Sequence, residues 1–269
     1  MRVLSADWPM SKKSNIPNAY RCMAIGLDFC RMFGGMKRNR RWGKYWSRST
    51  MKNAVLAEFL GTGFLLVSVV GSGIMAETLA GGNIALALLA NAIATGCMLY
   101  CIITLFGAVS GAHFNPIVSL AFVLRGEMPI TRACAFISAQ IFGAITGVIL
   151  THAMFDQSLF QLSQTPRNGG PLWVSEIFAS FGLLLIVFGS LAQNSKAIAT
   201  MVALYITGAY WFTASTSFAN PAVSIARALS DTFAGIDPAH VPMFILCQLI
   251  GMALALWAVR AVFNTETSG

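Results

Sequence analysis

Ser110-Gly-Ala-His-Phe-Asn-Pro-Ile117 and, further along, Ser217-Phe-Ala-Asn-Pro-Ala222 are two versions of one short phrase. In each, an Asn-Pro pair opens an apolar run, about 115–124 and 220–230, that is too short to cross a bilayer. The chemistry suits a helix start. Asn caps free N–H groups, and Pro is tolerated in the first turn because its missing N–H would have no intrahelical partner there. One Asn-Pro pair is a common turn. Two, at matching places in a repeating chain, predict two half-helices.

Working outward, longer apolar runs flank both phrases near 52–75, 84–106, 131–153, 172–192, 197–214 and 240–262. A spanning helix needs roughly 20 mostly apolar residues, so these predict six spans. The halves, about 51–155 and 170–264, echo each other. Ala57-Glu58-Phe59 matches Ser175-Glu176-Ile177-Phe178, and Gln140-Ile-Phe-Gly143 matches Gln248-Leu-Ile-Gly251. Three spans per half is odd, so the second half enters from the opposite side and the repeat is inverted, with its special site near the midplane. The fold class predicted is an all-α membrane protein of six transmembrane helices plus two re-entrant half-helices.

Composition agrees. Of 269 residues, 56% are hydrophobic and only 10% charged, against about 25% charged in soluble domains; membrane lipid is the expected solvent. The net charge of +8 is concentrated at one end, with 11 of the 18 Lys and Arg residues before Met51. With Trp42, Tyr45 and Trp46 among them, these charges give a positive-inside signal and a contact for anionic headgroups, not a nucleic-acid site. Arg125, Arg132, Lys196 and Arg260 fall on the same inner side, which predicts both termini in the cytoplasm. Residues 1–50 are expected to be a basic, disordered cytoplasmic tail or a start assigned upstream of Met51. The channel domain is 51–264, with 265–269 a short tail. The six cysteines form no framework or metal site; Cys97, Cys101, Cys134 and Cys247 are expected to pack as small hydrophobes. No cofactor is implied.

Two half-helices of about ten residues are each about 15 Å long, so a pair entering from opposite faces matches a hydrocarbon core of roughly 30 Å. Their positive ends meet at the centre. Irregular backbone survives at that depth only where it lines a watery cavity or is buried in protein, so the loops 107–114 and 215–219 are expected to line a pore. There Asn115 and Asn220 offer amide donors to a hydroxyl, while a cation meets positive potential and loses its hydration. Glu58 and Glu176, placed alike in equivalent helices, are expected to anchor these loops by accepting from backbone N–H groups.

The two phrases resemble the paired signatures of the aquaporin or major intrinsic protein family, carried here by Asn115, Pro116, Ile117 and by Asn220, Pro221, Ala222. Ala57-Glu-Phe-Leu-Gly-Thr62 and Ala139-Gln140 fit as well. The resemblance covers about 52–262. It implies an hourglass bundle, a homotetramer with a pore in each subunit, and passive conduction of small neutral solutes across the inner membrane of a bacterium. Departures mark the selectivity filter. The family's arginine after the second motif is Val223 here, and gapless counting puts the other filter positions at Thr95, Gly208 and Ser217. This predicts a wide constriction without aromatic residue, histidine or arginine. Arg227, one turn after Val223, is a candidate for the vestibule or a structural residue bonded to loop carbonyls or Asp231. The pattern is closer to an atypical bacterial branch of glycerol-type channels, some linked to arsenic resistance, so water, polyols and neutral metalloid species are the expected solutes.

The alternative is an ion-coupled secondary transporter, with Glu58 and Glu176 carrying protons. An enzyme is not expected. Ser110 near His113 is the nearest approach to a nucleophile and base, and no carboxylate stands nearby in sequence.

Overall fold

The computed structural model describes residues 50–263; the basic segment before Thr50, its interfacial aromatics and the 265–269 tail lie outside the described residues. Helix α1 (Met51–Leu79) starts where Thr50 Oγ1 accepts from Asn53 N. Helix α2 (Ile84–Ser110) starts on the Asn83 side chain and stops at Gly111, whose φ of 90° is left-handed backbone that glycine adopts without a Cβ penalty. The half-helix α3 (Pro116–Leu124) and the long α4 (Ile130–Met154) complete the first half. The second half runs α5 (Gly170–Ala192), α6 (Ile198–Phe212), the half-helix α7 (Pro221–Arg227) and α8 (Val241–Phe263), which follows a 3₁₀ turn at Pro238–His240. No strand occurs among the described residues.

Several boundaries differ from the sequence expectation. Helix α2 runs a turn beyond 106, so the loop before the first half-helix shrinks to 111–114. The second half-helix has 7 residues, not eleven, because Ala228 closes it with a tight cap. Among the described residues, five helices are long and apolar enough to cross a membrane. The sixth, α6, has 15 residues, or about 22 Å at 1.5 Å per residue. It stops at Thr213, whose extended backbone (φ −118°, ψ 136°) leads into the second loop.

The repeat governs packing. In the first half α1 lies against α4 and α2, and in the second α5 lies against α8 and α6. The two half-helices touch each other and the long helices α4 and α8. Small residues allow the closest crossings. A Cβ at Gly143 would collide with the Phe59 carbonyl, one at Gly147 with the Gly63 carbonyl, and one at Gly251 with the Ile177 carbonyl. Helix backbones approach this closely only through such residues, and inside lipid packing is the main source of helix association. Of the four cysteines described, only Cys247 is buried. Cys97, Cys101 and Cys134 point outward, correcting the expectation that they pack internally: a helix face turned to lipid can be as apolar as one turned to the core.

Gly147→Leu forces α1 and α4 apart, because the obstructing atom is backbone that cannot rotate away. The expected cost is about 1–3 kcal/mol, as for overpacked cores, read as a lowered thermal midpoint in detergent. Gly107→Ala, with open space around its Cβ, is the control and keeps the midpoint.

Candidate functional site

The two re-entrant loops are held alike. Each has non-glycine residues in left-handed backbone one and three positions before its asparagine: Phe114 (φ 48°) and Ala112 (51°) in the first, Ala219 (47°) and Ser217 (53°) in the second. Such residues cost on the order of 1–3 kcal/mol each and persist only when surroundings over-determine them. The determining groups are carboxylates. Glu58 Oε1 accepts from Ser110 Oγ (2.6 Å) and His113 N (2.9 Å), while Oε2 accepts from Phe114 N (2.7 Å) and Gln140 Nε2 (2.8 Å). Glu176 repeats the pattern: Oε1 accepts from Ser215 Oγ (2.6 Å) and Phe218 N (2.9 Å), and Oε2 from Ala219 N (2.9 Å) and Gln248 Nε2 (2.7 Å). Both glutamates are fully buried. Each glutamine also donates to a serine in the half-helix, Gln140 to Ser119 and Gln248 to Ser224.

The asparagines join the halves. Asn115 Oδ1 accepts from Ile117 N, capping its own helix, and its Nδ2 donates to Ala219 O at 2.8 Å. Asn220 Oδ1 accepts from Ala222 N and Val223 N, and its Nδ2 donates to Phe114 O at 2.8 Å. An amide nitrogen carries two hydrogens, so each keeps one N–H for a guest. Both asparagines line a cavity of about 750 Å³. Pro116 and Pro221 start the half-helices and are buried, as are Ile117 and Ala222. None of these four lines the cavity; Ile117 therefore does not narrow it. The positions that do are Val118 and Val223, three residues after each asparagine.

The cavity wall follows helical spacing. Thr95, Leu99 and Ile103 line it from α2, and Val202, Ile206 and Tyr210 from α6. Thr95, Ser217 and Val223 therefore face the cavity, but Gly208 does not. This is a correction to gapless counting. At 100° per residue, Gly208 lies about 200° from both Ile206 and Tyr210, on the far side of α6. An aromatic residue thus stands where none was expected: Tyr210 Oη lies 3.3 Å from Thr95 Oγ1. Nothing in the motif spacing pointed to Tyr210; the four-residue apolar row on α6 was the available signal. Arg227 also lines the cavity. Its Nε donates to Ala234 O, not to Asp231, and its guanidinium carbon lies 3.5 Å from the Phe218 ring centroid. His113 Nδ1 lies 2.9 Å from Ser119 Oγ, and the ring stacks on Phe122 with centroids 4.5 Å apart. No cluster of three or more metal-ligating side chains occurs among the described residues.

Comparison with known proteins agrees with this geometry. Residues 45–214 match the family described as "Major intrinsic protein". The aquaglyceroporin AqpS of Rhizobium meliloti (strain 1021) is 48% identical over 76% of this chain and 88% of its own length. The lens fiber major intrinsic protein of the frog Lithobates pipiens is 31% identical over 65% of this chain and 69% of its own. Among solved structures, the aquaglyceroporin from Plasmodium falciparum matches with a TM-score of 0.60 over 79% of this chain and 97% of its own, at 20% identity, which speaks to fold alone.

Glu58→Ala removes the acceptor for four buried donors. At about 1–3 kcal/mol for each donor left unsatisfied, a loss of roughly 4 kcal/mol or more is expected. Glu176→Ala should cost about the same, since its four partners are equivalent. Thermal unfolding of the purified variants in detergent checks both. A large loss for one and none for the other would break the equivalence.

Proposed function

The chain belongs to the major intrinsic protein family, membrane channels for small solutes and not enzymes, and from that premise we propose that it conducts water, glycerol-like polyols and neutral metalloid hydroxides through a filter of unusual make-up. The observation that carries this is the lining: two asparagine amides at the middle, and no Asp or Glu anywhere along the cavity. A neutral hydroxyl compound accepts from the free N–H of each amide and replaces its lost hydration. At the middle a cation meets amide donors and positive backbone ends. Permeation is passive. Each candidate carboxylate of a coupled transporter, Glu58 or Glu176, is already occupied by four donors, which suits a fixed anchor better than an exchanging proton carrier.

In this reading Thr95, Tyr210, Ser217 and Val223 form the outer filter, with Arg227 one turn further out. Threonine, serine and valine leave room beside a single phenol, so solutes larger than water pass. The bacterial relative and the outward apolar side chains, such as Phe142, Leu204 and Trp257, support a multi-pass protein of a bacterial plasma membrane. The inner-side cations Arg125, Arg132, Lys196 and Arg260 support cytoplasmic termini. The family premise supports a homotetramer.

Stopped-flow light scattering on proteoliposomes tests this directly. Wild-type protein should speed shrinkage in an impermeant osmolyte, and re-swelling in glycerol, urea and arsenous acid, beyond empty liposomes. Val223→Arg should slow the three larger solutes about tenfold, equivalent to ~1.4 kcal/mol of added barrier, and water much less. Rates equal to empty liposomes for all four would overturn the proposal.

A further inference from the structure

The repeat exposes an exchange that the motif spacing hides. In the first half, the side chain two residues before the asparagine is His113, and it stacks on Phe122, seven residues after that asparagine. In the second half the same two positions are Phe218 and Arg227, again stacked, at 3.5 Å. Phe122 and Arg227 both line the cavity, toward opposite ends. The fold therefore accepts an uncharged ring at this position. The second half puts a guanidinium there.

That guanidinium has no ion-pair partner among the described residues. Arg227 is only 3% exposed, and its Nε is spent on the Ala234 carbonyl. Neither Nη atom hydrogen-bonds to protein, and neither is sealed from the cavity. A second cation stands behind it. Arg167 donates to Gly235 O (2.7 Å) and Ser215 O (3.4 Å), and its guanidinium carbon lies 5.0 Å from the same Phe218 ring. Neither arginine forms an ion pair with a described residue. The nearby carboxylates are committed elsewhere: Glu176 to its four donors, Asp231 to Gln164 N, and Asp237 to Ala239 N. A buried charge left unpaired is costly, and the side left open is the one facing the cavity.

We propose that this end of the cavity is a binding site for a short monocarboxylate anion, its two oxygens on the Nη edge of Arg227 and its alkyl group against Val223. The fork geometry of a guanidinium matches a carboxylate through two parallel hydrogen bonds. Val223, one turn before Arg227 on the same face of α7, also lines the cavity and supplies an apolar contact. A monovalent anion balances the one guanidinium that faces inward. Bound there, it lies in the path of neutral solutes. The inference rests on the channel reading only for its flux readout.

Two measurements separate the site from the channel. In proteoliposomes at pH 7.5, with sodium acetate equal on both sides and sodium chloride holding ionic strength constant, glycerol flux should fall saturably as acetate replaces chloride. Arg227→Gln should raise the half-inhibiting concentration at least tenfold, and Arg227→Lys, which keeps the charge but not the fork, by about threefold. Arg167→Gln should weaken the effect without touching a cavity-facing group. In detergent, acetate should raise the wild-type thermal midpoint relative to equal chloride, by the mass action of a ligand bound to the native state, and should fail to do so in Arg227→Gln. The proposal is overturned if acetate changes neither flux nor midpoint, or if Arg227→Gln responds as wild type does. Absence of glycerol flux in the wild type would sink the channel reading, and the thermal shift would still decide the site.

Discussion

Two buried carboxylates hold the rest of the structure in place. The loops entering the centre of the bundle are irregular and turn through left-handed backbone at non-glycine residues, so left alone they would neither keep that shape nor satisfy their N–H groups. Glu58 and Glu176 each gather two consecutive backbone N–H groups, a serine hydroxyl and a glutamine amide. A buried charge is tolerable because its lone pairs are filled. The carbonyls and asparagine amides of the loops are thereby fixed. Asn115 and Asn220 then reach across to the opposite loop, so neither half holds its pore lining without the other.

The repeat is close in its skeleton and broken along part of the cavity wall. The glutamate clamps, the asparagine caps of the half-helices, and their serines and valines correspond pair by pair, as expected of parts that solve one structural problem twice. Two of the differences lie at the cavity wall. His113 on Phe122 becomes Phe218 on Arg227, and Tyr210 meets Thr95 on only one side of the middle. The scaffold's symmetry thus identifies which side chains it does not require.

Much of this was legible in the sequence because lipid imposes strict rules. Long apolar runs, paired Asn-Pro starts and matched Glu and Gln positions follow from the need to satisfy backbone groups inside a bilayer. Ser110 and Ser215, which complete the clamps, carried no signal of their own, since serine before a turn has many uses. Gly208 was misplaced and Tyr210 overlooked for a geometric reason: counting along the chain fixes a distance, whereas the wall is decided by rotation around α6. The short α7 was equally hidden, because its end is set by the local cap at Ala228 and not by composition.

In the proposed mechanism two amide donors and two positive backbone ends at the midpoint admit hydroxyls and exclude cations. Its most direct measurement is proton and potassium flux into proteoliposomes under an imposed potential, for the wild type and for Asn115→Asp with Asn220→Asp. The expected result is no ion flux above empty liposomes in the wild type and a measurable cation leak once carboxylates replace the amides. A wild type that passes cations, or aspartates that leave the barrier intact in a folded protein, would contradict it.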